Sequence, residues 1–147
     1  MIRLAGQLAA QLAGHPAMIE LQGDLGSGKT TFARALIHAL GGPERIPSPT
    51  YALLECYPLA AGQAVHLDLY RIQNPAEIDE LGLDELLAAA PTVLLVEWPE
   101  HGAGLLPPAD LRLHLTGGNR NRTLEITAHS SAGRRWLCRL AGDPVAV

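Results

Sequence analysis

The sequence predicts an α/β fold of three αβα layers around a mixed, mostly parallel sheet, and three observations carry that expectation. Ala17-Met18-Ile19-Glu20-Leu21-Gln22 is a short, largely apolar run that reads as a strand and leads straight into a glycine-rich stretch. Beyond that stretch Phe32, Leu36 and Leu40 recur at helical spacing, with Ala35 and Ala39 beside them. Thr92-Val93-Leu94-Leu95-Val96-Glu97 is a near-continuous apolar run, as a strand covered on both faces requires. Strands alternating with helical segments place helices on both sides of such a sheet.

Each element has its own signal. Leu4, Leu8 and Leu12 repeat every fourth residue, so 4–13 reads as the first helix. Strand 17–22 follows, then the glycine-rich stretch 23–30 and a helix over 30–40. Gly41 and Gly42 suit its C-terminal cap, and Pro43 stops it. Residues 43–50 contain Pro43, Pro47 and Pro49 and read as a loop. Strands 51–57 and 64–69 are joined by a turn near Ala60-Ala61-Gly62. Residues 75–90 are predicted as an acidic helix and 92–97 as the buried strand. Alternating segments at roughly 110–115 and 122–128 add two strands, and a helix from about 131 to 140 closes the chain. There is no internal repeat and no low-complexity block. With 147 residues and 48 % hydrophobic content, 1–147 is expected to be a single domain with its own core.

The glycine-rich stretch is the most specific local feature. Gly23-Asp24-Leu25-Gly26-Ser27-Gly28-Lys29-Thr30 spells G-x-x-x-x-G-K-[ST], the phosphate-binding P-loop. Its glycines let several backbone N–H groups turn inward toward an anion. Lys29 can reach the β- and γ-phosphates, and the Thr30 hydroxyl can ligate Mg²⁺. The helix that opens there adds a positive dipole end. Strand, loop and helix agree, so the fold expected is a P-loop NTPase-like αβα sandwich, and a nucleoside triphosphate is the leading ligand.

Mg²⁺ needs further oxygen ligands, commonly an acid at the end of a neighbouring strand. Glu97 ends the apolar run 93–96 and fits that place. Asp68 sits in Val65-His66-Leu67-Asp68-Leu69-Tyr70, where alternation puts His66, Asp68 and Tyr70 on one face. A strand-end carboxylate facing water is the bland reading of either acid. Ser48-Pro49-Thr50-Tyr51 follows the P-loop helix, where a switch-like hydroxyl can meet phosphate or metal; a plain proline-rich turn is the alternative. His66 is read first as a hydrogen-bonded structural residue and only second as a base. Trp98 reads as packing. Glu77, Asp79, Glu80, Asp84 and Glu85 read as a solvated helical face. Arg120, Arg122, Arg134, Arg135 and Arg139 crowd the last quarter, as a solvated surface or as a phosphate or partner contact.

Composition excludes several classes. A formal net charge of −4 argues against an autonomous nucleic-acid binder. No run approaches the roughly 18 apolar residues of a membrane span. No secretory leader pattern opens the chain. Cys56 and Cys138 are the two cysteines; their distance suits free thiols in a reducing cytosol, and no Cys/His spacing suits zinc. No N-K-x-D guanine motif occurs, so adenine is the expected base.

Several motifs together resemble one family. They are the P-loop Gly23–Thr31, Ser48-Pro49-Thr50-Tyr51, His66-Leu67-Asp68-Leu69-Tyr70-Arg71, Glu80-Leu81-Gly82 and Val96-Glu97-Trp98-Pro99. In order and spacing, over about residues 4–140, they resemble the bacterial tRNA threonylcarbamoyladenosine biosynthesis ATPase family, TsaE, formerly YjeE. The resemblance implies weak Mg²⁺-dependent ATPase activity in the cytoplasm, serving modification of adenosine 37 in tRNAs. It implies the protein partners TsaB and TsaD, with tRNA met indirectly through the complex and no membrane. It assigns ATP contacts to Leu25, Gly26, Ser27, Gly28, Lys29, Thr30, Thr31, Thr50 and Asp68. Thr30 and Glu97 are the implied metal ligands, and Lys29, Asp68 and Glu97 the implied catalytic group. Relatives carry a further N-terminal segment that helps form the adenine pocket, whereas this chain starts close to its first helix. A small-molecule kinase and a non-catalytic, nucleotide-gated binding module are the competing functions.

Overall fold

The computed structural model describes residues 1–46, 53–118 and 120–142. Thr50, with Ser48, Pro49 and Tyr51, lies outside them.

Along the chain run α1 (Ile2–Leu12), β1 (Ala17–Gln22), α2 (Lys29–Ala39), β2 (Leu54–Leu59), β3 (Gly62–Asp68), α3 (Ala76–Asp79), α4 (Leu83–Ala89), β4 (Thr92–Glu97), a 3₁₀ turn (Pro99–Gly102), β5 (Leu111–Gly117), β6 (Arg122–Ala128) and α5 (Ser131–Gly142). The six strands form one sheet in the order β2-β3-β4-β1-β5-β6. β3, β4, β1 and β5 are parallel neighbours, and β2 and β6 close the edges antiparallel. This is the expected mixed, mostly parallel sheet.

Burial follows the sequence pattern. Every residue of β4 is buried, as its uninterrupted apolar run requires. On one face Leu8 and Leu12 of α1, Phe32, Leu36 and Ile37 of α2, and Trp136 and Leu140 of α5 pack with Ile19, Leu21, Val93, Leu95, Leu111 and Leu113. On the other, Ile78 of α3 and Leu83 of α4 pack with Met18, Val65, Leu67, Leu94 and Val96. Side chains alternate between the faces, so β1, β3 and β4 each feed both cores, while β5 and β6 feed only the first.

Several boundaries differ from the sequence expectation. The acidic helix predicted over 75–90 is two short helices, because Gly82 takes a left-handed φ of 66° that begins α4 and breaks the run. β2 begins at Leu54, residues 51 and 52 of the predicted strand lying outside the described residues, and runs two residues past its predicted end to Leu59, leaving only Ala60 and Ala61 in the turn. α1 begins at Ile2, β5 extends to Gly117 and α5 to Gly142. Helix ends are set by capping and packing more than by periodicity, so such shifts are expected.

The far end of the sheet is fastened by Asp110. The Met18 N–H donates to its Oδ2 at 2.8 Å, and the Ser130 hydroxyl donates to its Oδ1 at 2.5 Å. Ser130 Oγ in turn accepts the Gly133 N–H at 2.9 Å, which satisfies a donor in the first turn of α5. One short side chain thus ties β1, β5 and α5 together.

Candidate functional site

The P-loop forms because β1 delivers the chain to the C-terminal edge of the sheet and α2 begins there. Gly23, Gly26 and Gly28 all have positive φ. At Gly28, φ is 107°, so the last turn before α2 needs a residue without a side chain. The Ser27 N–H closes the loop on the Asp24 carbonyl at 3.1 Å.

Lys29 opens α2 and is only 4 % exposed. Its ammonium donates to the Gly23 carbonyl at 2.6 Å and the Asp24 carbonyl at 2.8 Å. The Trp98 ring covers it from 4.2 Å. Burial lowers the Lys29 pKa, while Glu97 and Asp68 pull it back up. Trp98 itself has a φ of 56°, a conformation that bulky residues rarely hold outside functional sites. Tyr70 and His101 flank its ring at 5.0 and 5.6 Å.

Sheet register assembles the acids. Asp68 at the end of β3 pairs with Glu97 at the end of β4, and Glu97 also lies level with Leu21 of β1. Glu97 is 2 % exposed. Its Oε2 accepts the Thr30 hydroxyl at 2.9 Å, and its Oε1 meets Nε2 of the fully buried His66 at 2.8 Å. A carboxylate only accepts, so the donor in this bond is His66 Nε2–H. His66 Nδ1 then has no hydrogen-bond partner among the described residues. Burial pushes the Asp68 carboxyl up, Glu97 adds to this, and the Tyr70 N–H at 3.0 Å opposes it.

Of the residues singled out in the sequence, Leu25, Gly26, Gly28, Lys29, Thr30, Thr31, Asp68 and Glu97 line one cavity of about 210 Å³. Ser27 is buried beneath the loop. Thr50 lies outside the described residues. Tyr70, Trp98 and Arg122 join the lining. The face alternation in β3 already aligned Tyr70 with Asp68. Nothing local distinguished Trp98 from packing, or Arg122 from the other late arginines. A wider, mostly apolar opening of about 670 Å³ at the opposite end of the sheet contains none of these groups.

The donors around Thr30 are all oxygens: one hydroxyl and the carboxylates of Glu97 and Asp68. Such a set fits a hard cation that keeps several waters and phosphate oxygens, as Mg²⁺ does. Among the described residues no three His, Cys, Asp or Glu side chains form an all-protein metal cage. No helix of the described residues is long and apolar enough to cross a membrane.

Known proteins resemble this chain in sequence and in fold. Residues 1–124 match the family described as "Threonylcarbamoyl adenosine biosynthesis protein TsaE". The tRNA threonylcarbamoyladenosine biosynthesis protein TsaE of Haemophilus influenzae is 36 % identical over 117 residues, covering 80 % of this chain and 73 % of the relative. The Bacillus subtilis protein of the same name is 33 % identical over 123 residues, covering 83 % and 76 %. The crystal structure of Bacillus subtilis YdiB superposes with a TM-score of 0.72 at 27 % identity, covering 96 % of this chain and 87 % of that one. Fold, motifs and relatives coincide, and the chain belongs to the TsaE family.

Proposed function

We propose that this chain is a Mg²⁺-dependent ATPase that serves threonylcarbamoyladenosine modification of tRNA in the cytoplasm, working with TsaB and TsaD. The observation that carries the reading is the convergence of Lys29, Thr30, Asp68 and Glu97 on one cavity at the C-terminal ends of β1, β3 and β4. The loop N–H groups and the α2 N-terminus would hold the phosphates. Lys29 would exchange the Gly23 and Asp24 carbonyls for phosphate oxygens, where its charge stabilises the transferring group. Thr30 and Glu97 would hold Mg²⁺, with Asp68 beside them; the ion when bound would neutralise charge on the β- and γ-oxygens. Two close carboxylates, one with a raised pKa, suit a place where a cation is due.

The relatives' names supply the tRNA modification. A net charge of −4 supports leaving the tRNA itself to a partner subunit. The test is ATP hydrolysis by the chain alone and with purified TsaB and TsaD. Turnover is expected to rise when both are added, and Lys29→Ala to be silent in both conditions. Equal turnover with and without the partners would sink the partner dependence.

A further inference from the structure

The cavity has a roof whose support stands outside it. Trp98 lines the cavity and covers the Lys29 ammonium from 4.2 Å. Its backbone holds φ 56° and ψ 50°, the left-handed region, directly before Pro99. A bulky residue stays there only where its surroundings enforce it. The backbone tie at this point is long, since the Trp98 N–H reaches the Leu21 carbonyl at 3.4 Å. Enforcement falls to the two rings that flank the indole.

Those rings are not equivalent. Tyr70 lies 5.0 Å away, tilted by 41°, and is 46 % exposed. His101 lies 5.6 Å away and closer to parallel, at 27°. Its ring is anchored: a carbonyl only accepts, so His101 Nδ1–H donates to the Leu69 carbonyl at 2.8 Å. The turn that carries it is held as well. The His101 N–H donates to the Trp98 carbonyl at 3.1 Å. A methyl group on the neighbouring Gly102 would stand 2.8 Å from side-chain carbons of Ile78 and Leu69. Leu69 donates its own N–H to the Glu97 carbonyl at 3.1 Å. The imidazole is thus fixed to the chain just past Asp68 and stacks against the indole over Lys29. His101 itself does not line the cavity.

We propose that His101 is a positioning residue for nucleotide binding: by stacking, it holds the Trp98 ring over Lys29 and so keeps the ammonium in the buried place from which it meets the phosphates. This rests on the nucleotide reading above. The stack is complete before any nucleotide arrives, so it pre-organises binding and takes no part in phosphoryl transfer.

The experiment joins nuclear magnetic resonance of the full chain to calorimetric titration with Mg-ATP and turnover in the assembled complex. The chain has two tryptophans, and Trp136 is buried in the core under α5. Each indole N–H gives its own signal, and that of Trp136 monitors the fold. His101→Ala is expected to shift and broaden the Trp98 signal and to leave the Trp136 signal in place. It should weaken Mg-ATP by about tenfold in Kd and KM and change kcat by less than about threefold. His101→Phe, which keeps a stacking face, should recover most of the affinity. His101→Gln, which keeps a donor for Leu69 but no ring, should behave as His101→Ala. His15→Ala, exposed before β1 at the opposite end of the sheet, should bind as wild type. Unchanged ATP affinity in both His101→Ala and His101→Gln would overturn the proposal. So would rescue by His101→Gln but not by His101→Phe, which would place the role in the Leu69 tie alone. Tighter ATP binding would also overturn it, because the stack would then hold Lys29 back. If His101→Ala moves both indole signals, its fold has changed, and His101→Phe against His101→Gln decides. A wild-type chain that binds no Mg-ATP would sink the nucleotide reading and this proposal with it; a wild type that binds, beside unaffected His101 variants, removes the proposal alone.

Discussion

Two carboxylates hold opposite ends of one sheet, Asp110 just before β5 and Glu97 at the end of β4. Each accepts two hydrogen bonds, and each ties separate elements together. Their surroundings differ. The Asp110 chain runs through Met18 N–H and the Ser130 hydroxyl and ends on a backbone donor of α5. Every donor in it is neutral. The Glu97 chain runs through Thr30 and His66 and stops at His66 Nδ1, which has no partner among the described residues. Around it Asp68 is pushed up and Lys29 down, both chiefly by burial. The first end is a finished polar network and the second an unfinished one. A finished network stabilises. An unfinished one stores unfavourable interactions that a ligand can relieve.

The largest effect expected from this contrast is at Glu97. Glu97→Ala removes the acid that faces Thr30, and hydrolysis should fall by about a thousandfold, or about 4 kcal/mol of barrier. Steady-state turnover with saturating Mg²⁺ measures it. Retention of more than a tenth of the activity would mean that Asp68 alone suffices.

Asp110→Ala should do the reverse. It strands the Met18 N–H and the Ser130 hydroxyl, so unfolding free energy should drop by about 2–3 kcal/mol. For a chain of this length that is roughly 5–10 °C in Tm. Turnover well below that Tm should be unchanged, since the site lies at the other end of the parallel strands. A stable variant with lost turnover would erase the distinction between the two ends.

How much of this was legible in the sequence depends on the range of the signal. The P-loop, β1, α2 and β4 were legible because each is written in contiguous residues: a strand run, a glycine pattern, a helical stripe. Asp68 and Glu97 were legible as strand-end acids. Their adjacency was not, because it depends on the β3–β4 register, which no local pattern states. The His66–Glu97 bond follows from the same register. Gly82 was visible within 75–90, but a glycine inside a helical pattern does not say whether it breaks the helix. Arg122 differs from its neighbours only in the strand that carries it. Its place in the cavity lining comes from the sheet order, a tertiary fact.

His66 sharpens the comparison at an intermediate scale. It is not placed to touch a nucleotide; it fixes one oxygen of Glu97 so that the other faces Thr30. His66→Ala should lower turnover by about ten- to a hundredfold and raise the apparent KM for Mg²⁺, as loss of a supporting hydrogen bond would if Glu97 holds the ion as proposed. His66→Gln, whose amide can donate toward the same oxygen, should recover part of both. A loss of stability with an unchanged Mg²⁺ requirement would make His66 a packing residue only.

The smallest effect is at Asp68, and its sign is the useful part. Burial and Glu97 hold its carboxyl above the usual aspartate range, so the folded chain disfavours the anion. The resulting cost to stability is complete above the folded pKa. It fades as pH falls through that value and vanishes below the ordinary aspartate pKa, where folded and unfolded chains are both protonated. Asp68→Asn has no such cost and can still accept the Tyr70 N–H. In EDTA at mildly alkaline pH it should therefore be more stable than wild type, by about 1 kcal/mol or less, because part of the carboxyl reaches solvent. Its lead should shrink toward acid pH. Mg²⁺ and ATP should reverse the order, since the cation relieves in the wild type the repulsion that the variant no longer has. A variant less stable than wild type in EDTA at every pH would show that the Asp68 end of the site is finished after all, and that the unfinished part lies with Lys29.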